Sequence, residues 1–197
     1  MNNYSVANLK TELRKKLKDA RIAQNSHHGA KDIAAASELT EKLDLRLRAI
    51  CQQFDVKKVA AYLSYGTEPE TRTFLNWAQS NGILVLLPVS HPDGDLDWVA
   101  FDGETTEDGI HGFAEAVGEA QQLASVDLII LPAMAVDKKG MRLGKGKGYY
   151  DRALSKLETP KRTVAVVFDS EILDELPSEP HDQAVWAVVS PNQTIIF

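Results

Sequence analysis

One cysteine, Cys51, among 197 residues rules out an intramolecular disulfide and any C-x-x-C metal site. Cys51 sits in an apolar helical pattern, which assigns it to the core rather than to nucleophilic chemistry. The five histidines lack metal-ligand spacing, and neither H-E-x-x-H nor G-x-S-x-G occurs. No apolar run approaches the roughly 20 residues that cross a bilayer. The segment from Met1 to Lys10 is polar and lacks the apolar core of a signal peptide. A cytoplasmic location, with no membrane partner, is therefore the expectation. Basic residues are in deficit, 22 against 28 acidic ones, for a formal net charge of −6. That balance disfavours nucleic acid, whose binding is driven by phosphate neutralisation. Aromatic residues are sparse at 7%. Trp77, Trp98 and Trp186 read as packing residues, with Trp98 also a candidate pocket wall.

What is present is an ordinary globular composition, 44% apolar and 25% charged. Helical spacing of Leu9, Leu13 and Leu17 predicts a helix from about Ser5 to Gln24. After the polar break at Asn25–Gly29, Ile33, Leu39, Leu43, Leu47 and Ile50 predict a second helix to about Phe54. Short apolar runs follow at Val59–Leu63, Ile83–Leu87, Asp127–Leu131, Thr163–Phe168 and Ala184–Val189. They are continuous rather than alternating, as strands buried on both faces are. The second and third stop at Pro88 and Pro132. Glu70–Ser80 reads as a helix ending at Asn81-Gly82. Pro92–Gly118 reads as surface loops with a short hairpin. Strands alternating with helices predict a single α/β domain over 1–197, with a mostly parallel central sheet flanked by helices. Ligands of such sheets bind beyond the carboxyl ends of the strands, which directs attention to the loops after Leu63, Pro132 and Asp169.

One segment concentrates the scarce positive charge. Gly144, Gly146 and Gly148 alternate with Lys145 and Lys147, and Arg142 precedes them. Glycines permit positive φ and close approach of the backbone, so successive N–H groups can form an anion nest. A helix predicted over Tyr149–Leu157 would point its positive end at the same place. A polyphosphate is the natural ligand. The segment is neither a Walker A loop, being one residue short and lacking Ser/Thr, nor a dinucleotide fingerprint. A solvated Gly/Lys surface loop is the competing interpretation, and placement between a buried strand and a helix argues against it. Asp151 can ligate Mg²⁺ beside phosphate or complement a helix dipole. On the first helix Lys10, Arg14 and Arg21 share a narrow face beside the leucines, either reaching toward a ligand or simply solvated. Glu68 and Glu70 follow a strand, as ligand contacts or as turn and helix-start acids. His181-Asp182 is weak evidence for a metal or a base.

The run from Leu131-Pro132 through Ala135-Val136-Asp137, Gly140 and Arg142-Leu143-Gly144-Lys145-Gly146-Lys147-Gly148-Tyr149-Tyr150-Asp151-Arg152 closely resembles the signature of 5-formyltetrahydrofolate cyclo-ligases. Other elements follow in the family's order. Lys10-x-x-Leu13-Arg14 resembles an ATP-contacting element, and Tyr62-Leu63-Ser64 with Glu68 and Glu70-Thr71 a folate-contacting one. Gly112-Phe113-Ala114-Glu115 resembles a Gly-Ile-x-Glu-Pro element, with Ala116 in place of proline. Pro180-His181-Asp182 resembles a metal-binding element, with Trp186 where the family often has a second acid.

The resemblance implies ATP-dependent cyclisation of 5-formyltetrahydrofolate to 5,10-methenyltetrahydrofolate through a phosphorylated formyl group, with ADP and phosphate released. It implies Lys145, Lys147 and Arg142 as catalytic residues. ATP contacts would come from Lys10, Arg14, Arg142, Gly144, Lys145, Gly146, Lys147, Gly148, Tyr149 and Tyr150. Leu63, Glu68, Lys145 and Tyr149 would bind folate, and Asp151 and Asp182 would hold Mg²⁺. The roles of Glu70 and Glu115 stay open. The expected partners are ATP and a reduced formyl folate, and the expected state is a monomer. Two alternatives remain on residues alone: a phosphotransferase with another acceptor, and a non-catalytic nucleotide- or sugar-phosphate-sensing domain.

Overall fold

The computed structural model describes residues 5–25, 30–102, 107–108, 114–179 and 182–197; side chains are described from 34 onward in the second helix, and not at 25, 107–108 or 114. The helices are α1 (Val6–Asn25), α2 (Ala30–Gln53), α3 (Arg72–Ser80) and α4 (Tyr149–Ser155). The strands are β1 (Lys58–Ala60), β2 (Leu84–Ser90), β3 (Leu96–Ala100), β4 (Glu107–Asp108), β5 (Ala114–Glu115) and β6 (Leu128–Pro132) in the first part of the chain. They continue as β7 (Ala135–Asp137), β8 (Arg142–Leu143), β9 (Arg162–Val166), β10 (Ile172–Leu173), β11 (Ala187–Val189) and β12 (Thr194–Ile196).

The main sheet has the order β12-β11-β9-β6-β1-β2-β3. Its inner strands β11, β9, β6, β1 and β2 are mutually parallel, while β12 and β3 close the edges antiparallel. Chain order reverses at β1: the chain passes through α3 to β2 on one side and returns to β6 on the other. Such a reversal opens a crevice beyond the strand ends.

The continuous apolar runs are explained by cover on both faces. Val59, Val85, Leu128, Ile130 and Val164 join Leu43, Leu47, Ile50 and Cys51 of α2 and Phe74 and Leu75 of α3 in one cluster. Alternate residues Ala60, Leu86, Ile129, Leu131 and Ala165 face the other way, with Tyr150, Ala153 and Leu154 of α4. Burial pushes the Cys51 thiol up to about 12, so it stays neutral in the core.

Several boundaries differ from those the sequence predicts. Pro88 does not end its strand; β2 runs through it to Ser90. The pairing of β1 with β2 ends at Leu86, so nothing asks Pro88 for an N–H on that side. Part of the Pro92–Gly118 region is not loop but the edge strand β3, paired with β2 over Leu96–Ala100. A three-stranded sheet, β10-β7-β8, was not anticipated. Its strands are two or three residues long, too short to show a period. The His27-His28-Gly29 break and Gly112-Phe113 lie outside the described residues, as does the side chain of Ile33.

Helix α1 reverses the usual amphipathic logic. Leu9 is 41% exposed, whereas Lys10 and Arg21 are buried together with Leu17. The basic stripe is the packing face, because the wall it meets carries acceptors. Arg21 donates from Nε and Nη2 to the Glu171 carboxylate at 2.6 and 2.8 Å, and to the Ala133 carbonyl at 2.8 Å. It serves this buried ion pair rather than a ligand. Leu17 packs with Met134, Ala135, Leu143 and Leu176 of the smaller sheet and its surroundings.

Arg21→Ala would strand the Glu171 carboxylate in the interior, and a loss of about 3–5 kcal/mol is expected in chemical denaturation. Cys51 should resist alkylation at mildly alkaline pH until the chain is unfolded.

Candidate functional site

The loops at the reversal are shaped by local hydrogen bonding. Beyond β1, the Thr71 hydroxyl donates to the Tyr62 carbonyl at 2.8 Å and accepts the Ser64 N–H at 3.0 Å, while the Thr71 N–H donates to the Ser64 hydroxyl at 3.1 Å. This closes the segment carrying Leu63 and Glu68 onto the start of α3. Glu70 accepts the N–H groups of Arg72 and Thr73, so it acts as a helix-start acid.

Beyond β6, buried Asp137 organises the turn between β7 and β8. One carboxylate oxygen accepts the N–H groups of Lys139 and Met141 at 2.8 and 3.0 Å, and the other accepts that of Leu176 at 3.1 Å. Gly140 turns the corner at φ +80°, where a Cβ would lie 2.9 Å from the Val185 carbonyl and from the Phe197 ring. The hairpin delivers Arg142 into the crevice. The glycine-lysine loop follows, with Gly146 and Gly148 at φ +95° and +69°. Two of its carbonyls are occupied: Gly144 accepts from Arg14 Nε at 2.8 Å, and Lys147 from Arg152 Nη2 at 2.9 Å. Cations placed there remove acceptor charge that would repel an anion. Helix α4 starts at Tyr149 but ends at Ser155, shorter than predicted.

These segments enclose a cavity of about 550 Å³. Every residue assigned to a site from sequence lines it: Lys10, Arg14, Leu63, Glu68, Arg142, Gly144 to Asp151 and Asp182. Residues from α1, the loop after β1, the β8–α4 loop and the C-terminal loop thus converge at the reversal point of the sheet.

The electrostatics are those of paired charges. Lys10 Nζ lies 2.8 Å from Glu179 and 2.7 Å from Asp182. Burial works against its charge, but hydrogen bonds and attraction from Asp182 and Glu179 outweigh it, and the ammonium is held above its ordinary pKa. Arg142 Nη2 meets Asp151 at 2.7 Å, and Lys145 Nζ meets Glu68 at 2.7 Å. The acids and cations singled out from sequence thus face one another. Tyr149 donates to the His91 carbonyl at 3.2 Å, with Arg152 5.4 Å from its ring centre.

Some cavity residues escaped the sequence reading. Glu179 directly precedes the Pro180-His181-Asp182 element but is not part of it, and it is identified by its contact with Lys10. Ser90 and Leu96 come from β2 and β3; Glu115 of β5, whose role the sequence left open, also lines the cavity and accepts the Ser90 N–H at 3.0 Å. No sequence signal marked Ser90 or Leu96, because the apolar run was read as ending at Pro88 and β2 continues through it. Conversely, the loop at Asp169 lines a different cavity, of about 920 Å³, with α2; among the described residues the two cavities share Tyr65 and Glu68. Trp98 is buried against Tyr150, and Trp186 stacks edge-on with Phe54, so both are packing residues. His181 and Pro180 lie outside the described residues.

With that geometry in view, likeness to known proteins settles the family. The model of the 5-formyltetrahydrofolate cyclo-ligase family matches residues 6–191. The chain belongs to this family of enzymes. It is 36% identical over 148 residues to a 5-formyltetrahydrofolate cyclo-ligase of Mycolicibacterium smegmatis, covering 71% of this chain and 76% of the relative. It is 32% identical over 142 residues to the Escherichia coli K12 cyclo-ligase, covering 68% and 78%. The NMR structure of Aquifex aeolicus 5,10-methenyltetrahydrofolate synthetase superimposes with a TM-score of 0.79 at 27% identity, over 95% of this chain and 92% of that one. The α/β architecture with its mostly parallel sheet is therefore that of the cyclo-ligases. Among the described residues no helix is long and apolar enough to cross a membrane.

Gly140→Ala should distort the hairpin that aims Arg142. The left-handed backbone alone costs on the order of 1–2 kcal/mol, and the denaturation midpoint should fall accordingly.

Proposed function

We propose that the chain converts 5-formyltetrahydrofolate to 5,10-methenyltetrahydrofolate at the expense of ATP, releasing ADP and phosphate. The observation that carries this reading is convergence: the polyphosphate-type loop, the basic residues of α1 and the Leu63–Glu68 segment line one cavity. The family supplies the substrate class.

The chemistry asks for activation of a poor leaving group. The formyl oxygen attacks the γ-phosphorus, the bond to the β–γ bridging oxygen breaks, and ADP leaves with that electron pair. The resulting N5-iminium phosphate is attacked at carbon by N10, which gives up its proton. The C–O bond then breaks, phosphate departs with the pair, and the N5–C–N10 bridge remains. Phosphoryl transfer of this kind needs alignment and charge neutralisation more than covalent help.

Arg142, Lys145, Lys147 and the Gly144–Gly148 amides would surround the transferred group, while Lys10, Arg14 and Tyr150 would hold the nucleotide. Leu63 and Tyr149 would flank the pterin, and Glu68 would accept hydrogen bonds from its N–H groups. Arg142 and Lys145 must exchange a carboxylate partner for phosphate, which releases Asp151 and Glu68 for other ligands.

Mg²⁺ is part of the proposal. No group of three or more His, Cys, Asp or Glu suited to a metal is formed among the described residues. Asp151 and Asp182 nonetheless line the cavity, and one or two carboxylates completed by phosphate oxygens and water suit Mg²⁺. When bound, it would neutralise phosphate charge. The remainder of the proposal is a single domain acting as a monomer in the cytoplasm.

Protein mixed with Mg-ATP and 5-formyltetrahydrofolate should develop the methenyl chromophore with stoichiometric ADP. ADP without the chromophore would point to a phosphotransferase, and neither product would defeat the reading. Lys145→Ala should lower turnover by roughly 10²-fold or more with an unchanged circular dichroism spectrum. Full activity in that variant would remove Lys145 from its assigned role.

A further inference from the structure

The Tyr62 hydroxyl is sealed from solvent and has no hydrogen-bond partner among the described residues, although Tyr62 lines the cavity. A buried phenol ordinarily has a partner. The ring is fixed in the buried cluster that includes Leu87 and Phe101, and the Tyr62 carbonyl is held by Thr71. Burial is the main influence on the hydroxyl and drives its ionisation well upward; Glu68 is the foremost of the charged groups that act on it. The group is therefore a neutral donor, and it lines the same cavity as the Glu68 carboxylate.

Glu68 is itself only 6% exposed at its side chain. One carboxylate oxygen accepts the Tyr65 N–H at 2.8 Å, and the other pairs with Lys145 at 2.7 Å. Lys145 is 52% exposed on a flexible stem. On the reading proposed above, on which this inference rests, Lys145 turns to the triphosphate. The nearly buried carboxylate then loses its counter-charge, a costly state unless donors replace the cation. We propose that Tyr62 is a positioning residue for Glu68, its hydroxyl becoming the donor that holds the carboxylate when Lys145 moves to the nucleotide. Glu68 is then kept oriented for the N–H groups of the folate heterocycle. Nucleotide binding thereby prepares the folate half of the cavity through one lysine, one glutamate and one phenol.

The test compares wild type, Tyr62→Phe, Glu68→Gln and the double variant in steady-state kinetics and thermal unfolding. Absence of methenyl product with wild type would defeat the functional reading itself and is thereby distinguished from failure of this inference. With active wild type, Tyr62→Phe should raise the KM for 5-formyltetrahydrofolate roughly tenfold, as loss of a hydrogen bond to a charged group does. The KM for ATP should rise as well, because without the phenol donor the move of Lys145 away from Glu68 costs more. The free protein should unfold at the same or a higher temperature, because the hydroxyl it loses is unpaired among the described residues. In the Glu68→Gln background, Tyr62→Phe should add no further increase in folate KM. An unchanged folate KM in Tyr62→Phe overturns the proposal. So does a lower unfolding temperature of the free variant, or simple additivity of the two substitutions.

Discussion

Compensation of charge across the cavity is the constraint on which the rest depends. A chain with a formal net charge of −6 must hold its cations where an anion is to be bound, and a cation in a partly buried crevice needs a counter-charge. Lys10 is met by Asp182 and Glu179, Arg142 by Asp151, and Lys145 by Glu68. The pairs involving Lys10 and Lys145 join segments far apart in sequence, so they tie the cavity walls together as well as neutralise them. An anionic ligand entering here replaces one set of carboxylates with another negative partner, and the displaced acids become available for metal or for hydrogen-bond donors.

This arrangement explains why α1 packs as it does. Its attachment rests on Lys10, Arg14 and Arg21 at least as much as on Leu17, since the surfaces it meets present carboxylates and carbonyls. The same helix therefore contributes two cavity cations and one internal ion pair. Arg21 and Lys10 are alike in charge and burial, yet only one of them faces the cavity.

The backbone provides the second half of the site. Asp137 and Gly140 set the hairpin, the hairpin aims Arg142, and the left-handed Gly146 and Gly148 shape the loop beyond it. On the opposite wall the Thr71–Ser64 exchange holds the Tyr62–Glu68 segment. Each is a short-range device whose meaning comes from the crevice between β1 and β6 that it borders.

Much of this was legible in the residues. Continuous apolar runs between helical patterns specify a largely parallel sheet, because only strands covered on both faces dispense with alternation. The Gly144–Gly148 alternation with lysines specifies an anion-seeking loop, because glycine conformation and cation spacing are local properties. The extension of β2 through Pro88, the short strands β7, β8 and β10, and the partners of Lys10 and Arg21 were not legible. They depend on which strand has ended nearby and on which acid arrives from across the sequence. Local chemistry was thus determined by the sequence alone, whereas tertiary structure decided the pairing of Lys145 with Glu68, the burial of Arg21 and the seclusion of the Tyr62 hydroxyl from solvent, since solvent exclusion and long-range charge contacts exist only once the chain has closed on itself.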